Sequence, residues 1–173
     1  GRALRSVPVT EDRVAVESFI ASLGTDVLSA RGSDLEQGLD TAFAAFPEGA
    51  NRNRLIVLIS DGEQHRGNPL RPAEVAGSAG VPVFAVTVGS AEGSTIQLSD
   101  GSRLTDENGN VVVSRADPEL MTEVARLAEG SAFSGSRGDV VSPLMREIRG
   151  FETEREREGV GVVAAPRCRL LRT

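Results

Sequence analysis

The residues best suited to do chemistry are Asp61 and Glu63, in the stretch Ser60-Asp61-Gly62-Glu63. They directly follow five consecutive aliphatic residues, Leu55-Ile56-Val57-Leu58-Ile59. Such a run reads as a strand buried on both faces inside a parallel sheet. In open α/β sheets, ligands gather outside the carboxyl ends of the strands. A carboxylate delivered there by a rigid strand suits metal ligation or acid chemistry. Asp-Gly is also a common turn pair, so a turn reading of Asp61 stands beside the metal reading.

Ser33 is the second candidate. Its hydroxyl is a proper ligand for a hard cation such as Mg²⁺. It also has capping-box spacing to Glu36, which makes it a candidate helix N-cap. Asp34 beside it is a first-turn acid, favourable against the helix dipole. A Ser60–His65–Asp61 catalytic group would need residues too close in sequence to converge, which argues against nucleophilic catalysis. No phosphate-cradling glycine motif is present. Arg137-Gly138-Asp139 is an integrin-type tripeptide, read as coincidence in a chain rich in Arg and Gly.

The elements that must hold these residues follow from periodicity. Residues 4–9 read as a strand, and residues 10–23 as a helix capped by Asp12 or Thr10 and stopped by Gly24. Residues 33–46 read as a helix with Leu35, Leu39, Ala42, Phe43 and Phe46 on one face, ended by Pro47 and Gly49. The strand at 55–59 is followed by a polar loop, a helix from Pro72 to about residue 79 stopped by Gly80, and a β-branched strand at 81–88. Strand, helix and strand form a βαβ unit, which predicts a parallel sheet with a right-handed crossover. Asp100-Gly101 and Asn108-Gly109 mark turns in a hairpin insert around 92–114. Asp117-Pro118-Glu119 starts another helix that Gly130 ends. A short strand at 131–133 and a helix opening at Ser142-Pro143 complete the order. The alternating acids and arginines of 152–158 read as a solvated helix end.

The whole chain sets limits on function. Its 173 residues suit one domain, and at 3% aromatic content its core must be aliphatic. A net charge of −6 makes nucleic acid an unsuitable partner. The single Cys168 excludes an internal disulfide and a cysteine-built zinc site. No apolar run approaches the roughly 18 residues of a membrane span, and no signal peptide is recognisable.

Together the segments resemble a von Willebrand factor A (VWA) domain of the bacterial Bat (aerotolerance) type. The resemblance is carried by Arg31-Gly32-Ser33-Asp34-Leu35 with its helix, by 55–63 and by 81–89. It is also carried by the insert, with its Asp106-Glu107-Asn108-Gly109-Asn110-Val111 turn, and by the helix 119–128 before Gly130. It implies an α/β fold: a Rossmann-like open, mostly parallel sheet with helices on both faces. It divides the chain into a partial VWA domain, 1–151, and a charged helix end with an irregular tail, 152–173. It implies a metal-ion-dependent adhesion site for Mg²⁺ or Mn²⁺, with Ser33 and Asp61 as metal ligands and Asp34, Glu63 and Gln64 as partner-binding residues.

The family's Asp-x-Ser-x-Ser loop occurs nowhere in this chain. The resemblance therefore implies a truncated member, lacking its first two strands upstream of Gly1, with an incomplete site that binds metal weakly or not at all. The intact parent is expected to be membrane-anchored, with an extracytoplasmic VWA domain. Its expected function is non-enzymatic binding of a protein that supplies a carboxylate to the metal, with a link to a MoxR-type AAA+ ATPase. Two alternatives remain: a Mg²⁺-dependent hydrolase using Asp61 and Glu63, and a fragment without activity. The segment 159–164 is a rival candidate for the vacant strand.

Overall fold

The structure is a computed structural model. It describes residues 3–8, 10–23, 33–47, 53–64, 66–98, 100–106, 108–136 and 138–160, with side chains through 155. Val9, Gly24, Arg31, Gly32, Gly49, His65, Glu107, Arg137, Cys168 and the segment 161–173, including most of 159–164, lie outside the described residues.

Three parallel strands form the central sheet in the order β1-β2-β5, where β1 is Ile56–Ser60, β2 is Val83–Thr87 and β5 is Ala132–Ser134. The register sets Ile56 beside Val83 and Ser60 beside Thr87, then Ala85 beside Ala132. The helix α3 (Leu70–Ser78) crosses from β1 to β2, and α4 (Pro118–Leu127) precedes β5. The βαβ unit expected from the aliphatic runs is therefore present.

The helices α2 (Leu35–Ala44), α3 and α4 pack against one another, and α3 and α4 pack on the sheet. Ile56, Val83, Leu39, Ala73, Ala76, Val124 and Ala128 form the core between them. Ala85, Met121, Ala125 and Leu35 extend it toward the carboxyl ends of the strands. On the opposite face, α5 (Val141–Val160) brings Arg146, Gly150 and Phe151 to a groove shared with Phe84. Helices thus cover both faces of β2, all five of whose residues are buried. Gly130 is required where it stands, because a Cβ there would collide with the Val83 carbonyl.

Three sequence expectations need correction. β1 is not buried on both faces: Val57 is 39% and Ile59 65% exposed. Among the described residues its outer edge is unpaired and the face carrying Val57 and Ile59 is poorly covered; an aliphatic run records hydrophobicity rather than the presence of a neighbour. The expected strand at 4–9 does not form in its described part, residues 4–8, and Leu4 is exposed. A strand exists only by pairing, and among the described residues none pairs with this segment. The cap of α2 is Asp34, whose Oδ1 accepts the Gln37 N–H at 2.9 Å, and not Ser33. Glu36 cannot close a capping box because it is drawn away to Asn68 and Arg71.

The first helix, α1 (Arg13–Ser22), is capped by Asp12 and buries none of its residues. The insert is a small antiparallel meander. The short strands β3 (Ser94–Thr95) and β4 (Val113–Ser114) pair at its base, and the pairs Gln97–Arg103 and Thr105–Val111 extend it.

Candidate functional site at the carboxyl ends of the strands

β1 hands the chain to the site at Ser60. Asp61 is half-buried, and its Oδ1 accepts the Glu63 N–H at 3.0 Å and lies 3.4 Å from the Ser60 hydroxyl. Ser60 Oγ accepts the Gly62 N–H at 3.0 Å. This tight turn needs Gly62: its φ is +78°, and a Cβ there would sit 2.5 Å from the Asp117 carbonyl oxygen. The Asp61 carbonyl in turn accepts the Asp117 N–H at 2.7 Å, tying the loop to the start of α4. The turn reading of Asp61 is thus correct for one carboxylate oxygen. Its Oδ2 has no hydrogen bond among the described residues.

The loop then reaches α2. Gln64 Oε1 accepts the Leu35 N–H at 3.1 Å, and Gln64 Nε2 donates to the Arg66 carbonyl. Glu36 accepts the Asn68 N–H at 2.7 Å and pairs with Arg71, which also reaches Asp40 at 2.9 Å. The Asn68 amide, then the Arg71 guanidinium, hold the Glu36 carboxyl below its ordinary range. These contacts seat Gln64, Asn68 and Arg71 on the N-terminal half of α2.

Ser33 and Asp34 are half-buried and immediately precede α2. With the cap supplied by Asp34, the Ser33 hydroxyl makes no hydrogen bond among the described residues. Glu63 turns the other way, toward the insert, where Ser114 Oγ donates to its Oε2 at 2.8 Å. The five expected site residues therefore lie on loops that meet beside β1. Four of them also have structural duties: Asp34 as cap, Asp61 in its own turn, Glu63 as anchor of the insert, and Gln64 as the bridge to α2.

Beside Glu63 and Gln64 lies an open cavity of about 450 Å³, bounded by Ala91, Arg115, Ala116 and the first residues of α4 up to Glu119. Sequence reasoning missed Arg115. In a chain with so many arginines, only the fold distinguishes this one, by bringing the end of the insert to the site. Asp139 of the integrin-type tripeptide is a cap, accepting the Val141 and Ser142 N–H groups at 3.0 and 3.1 Å.

The metal reading can be tested on these donors. Asp61 Oδ2 and Ser33 Oγ are suitable hard oxygens, but a divalent cation takes about six. Among the described residues, no group of three or more His, Cys, Asp or Glu side chains is placed to hold a metal. The described donors are too few to hold such a cation by themselves.

Comparison with known proteins agrees with this architecture. Two solved structures match it at 25% sequence identity. One is an aerotolerance-related membrane protein from Bacteroides fragilis NCTC 9343, bearing multiple mutations to serines, with a TM-score of 0.81 over 87% of this chain and 75% of that one. The other is the conserved hypothetical protein BatB from Bacteroides thetaiotaomicron, with a TM-score of 0.79 over 91% of this chain and 76% of that one. No curated protein sequence matches the chain. Among the described residues, no helix is long and apolar enough to cross a membrane. The family model of the von Willebrand factor type A domain matches residues 5–124, and the chain belongs to that family.

Proposed function

We propose that this chain is the recognition module of a Bat-type, membrane-anchored protein, with its VWA domain outside the cytoplasm. It binds a partner protein at the face formed by Ser33, Asp34, Asp61, Glu63 and Gln64. The observation that carries this reading is the Gln64–Leu35 hydrogen bond, which joins the Asp61 loop to the start of α2. Ser33 and Asp61 then contribute two corners of an adhesion-type Mg²⁺ or Mn²⁺ site, and the partner contributes a carboxylate. In this chain the metal is weakly held, since the described donors are too few. Resemblance to the Bat type adds a functional link to a MoxR-type AAA+ ATPase, which is distinct from the partner bound at this extracytoplasmic face.

Binding is favoured over catalysis. A hydrolase built on Asp61 and Glu63 needs both carboxylates facing one substrate. Glu63 is instead anchored to Ser114, and one Asp61 oxygen is held by the Glu63 amide.

Paramagnetic broadening by Mn²⁺ tests this reading, because it detects weak sites. The amide resonances of Ser33, Asp34, Asp61, Glu63 and Gln64 are expected to broaden first in the wild-type chain and not in Asp61→Asn. First broadening at the insert turns or on α5 would contradict it.

A further inference from the structure

The insert has two unlike faces. Successive residues of a strand alternate between faces, and cross-strand partners share one. The pairs Thr95–Val113, Gln97–Arg103 and Thr105–Val111 therefore lie together, and all six residues are exposed. Arg115 joins them at the base, because a Cβ on Gly93 would meet both Arg115 Cγ and Val113 Cγ1. The other face carries Leu104, Val112 and Ser114, which are half-buried, and Ser114 is the residue that donates to Glu63. The insert thus turns one face to the domain and the other to solvent. On the outward face, Val111 and Val113 are 42% and 36% exposed. Neither Arg103 nor Arg115 makes an ion pair or a hydrogen bond among the described residues. Carboxylates do border the cavity beside Arg115, but Glu63 is held by Ser114 and Asp117 by the Leu120 N–H, and Glu119 does not pair with it. No acid occupies a paired position on this face, in a chain whose net charge is −6.

We propose that this outward face of the insert binds an extended acidic segment of a partner protein. The segment's carboxylates pair with Arg103 and Arg115, and its apolar side chains cover Val111 and Val113. An arginine fork binds a carboxylate through two parallel hydrogen bonds, and here both forks are open. An extended chain aims every second side chain at the same surface, which suits acids and aliphatic residues at alternate positions. The occupant is a protein rather than an anionic membrane. Lipid surfaces are recognised by larger clusters of basic residues, and the net charge of −6 opposes such docking. Arg115 also borders the cavity beside Gln64, so this surface is continuous with the face around Asp61. The proposal rests on the function proposed above only in taking one partner to make both contacts.

The test uses a blocked peptide, Glu-Ser-Val-Ser-Val-Ser-Glu, whose acids and valines share one side when extended. Titrated into the full chain without metal and followed by NMR, it is expected to shift the amide resonances of Arg103, Val111, Val113 and Arg115. Arg103→Ala combined with Arg115→Ala should weaken binding at least about tenfold, while Asp61→Asn leaves it unchanged. No shift at millimolar peptide would overturn the proposal, as would equal binding of the same peptide with Lys in place of Glu, or binding indifferent to the double variant. Shifts on this face caused by phosphatidylglycerol vesicles and not by the peptide would assign it to a membrane surface and equally overturn it. Peptide binding lost in Asp61→Asn would place the peptide at the Asp61 face, which ends this proposal and leaves the Asp61 reading standing. Peptide binding at the insert, with no Mn²⁺ broadening around Asp61, would do the reverse.

Discussion

The side-chain oxygen of Gln64 accepts the backbone N–H of Leu35 at 3.1 Å, across 29 residues of sequence. The first N–H groups of a helix have no partner inside it. Gln64 fills one of these vacancies and so holds the loop after β1 against the start of α2. The proposed binding face depends on this link.

Gln64→Ala should therefore lower stability by about 1 kcal/mol, the net worth of a typical protein hydrogen bond. Chemical denaturation measures it. Hydrogen exchange of the Leu35 amide should quicken, while the Gln37 amide, capped by Asp34 at 2.9 Å, should hold its protection.

Gly62 supplies the turn beneath Asp61. Gly62→Ala places a Cβ 2.5 Å from the Asp117 carbonyl and 2.9 Å from Met121 Cγ, at a φ of +78°. A left-handed non-glycine residue alone costs of order 1–3 kcal/mol, and the collisions add to it. A thermal melt should show a clear fall in Tm. An equal substitution at Gly109, where φ is +84° but nothing lies within 4 Å, should cost less.

Acid should loosen the loop 66–71 before the core. The Asn68 amide and the Arg71 guanidinium lower the Glu36 pKa from its ordinary 4.5. A carboxyl depressed in the folded state contributes stability that is fully present above its unfolded pKa. That stability is lost as pH falls through the depressed folded value. Amide exchange at Asn68 followed from pH 6 downward should accelerate only below the ordinary carboxylate range, and Glu36→Gln should flatten this dependence.

Much of this was legible in the sequence, and the failures have physical causes. The β1-α3-β2 unit was readable because its signals are local: aliphatic runs, Pro72 near a helix start and Gly80 at its stop. Asp117 as a cap and Gly130 as a stop were readable for the same reason. The cap of α2 was not, because Ser33 and Asp34 are both good caps. The choice was made by Asn68 and Arg71, which capture Glu36 from more than 30 residues away. That choice leaves the Ser33 hydroxyl without a hydrogen bond among the described residues. The exposure of Val57 and Ile59 was invisible because it depends on what packs over that face of the sheet. The cavity beside Arg115 arises from where the insert returns to the sheet, which no local pattern encodes.

The isolated chain should bind Mg²⁺ more weakly than micromolar, since Asp61 and Ser33 fall well short of the about six oxygens a hard cation takes. Titration calorimetry measures this directly, and a micromolar dissociation constant would show that residues outside the described set complete the site.

The central claim is that the face around Asp61 recognises a partner protein. The most direct measurement is the binding of extracytoplasmic proteins of the same organism to the immobilised chain, with and without Mg²⁺, for wild type and Asp61→Asn. Asparagine keeps an oxygen for the Glu63 amide and removes the charge, so the fold should be preserved. The account predicts saturable binding that Mg²⁺ strengthens and that Asp61→Asn weakens at least about tenfold, or 1.4 kcal/mol. Equal binding by wild type and Asp61→Asn, indifferent to Mg²⁺, would contradict it.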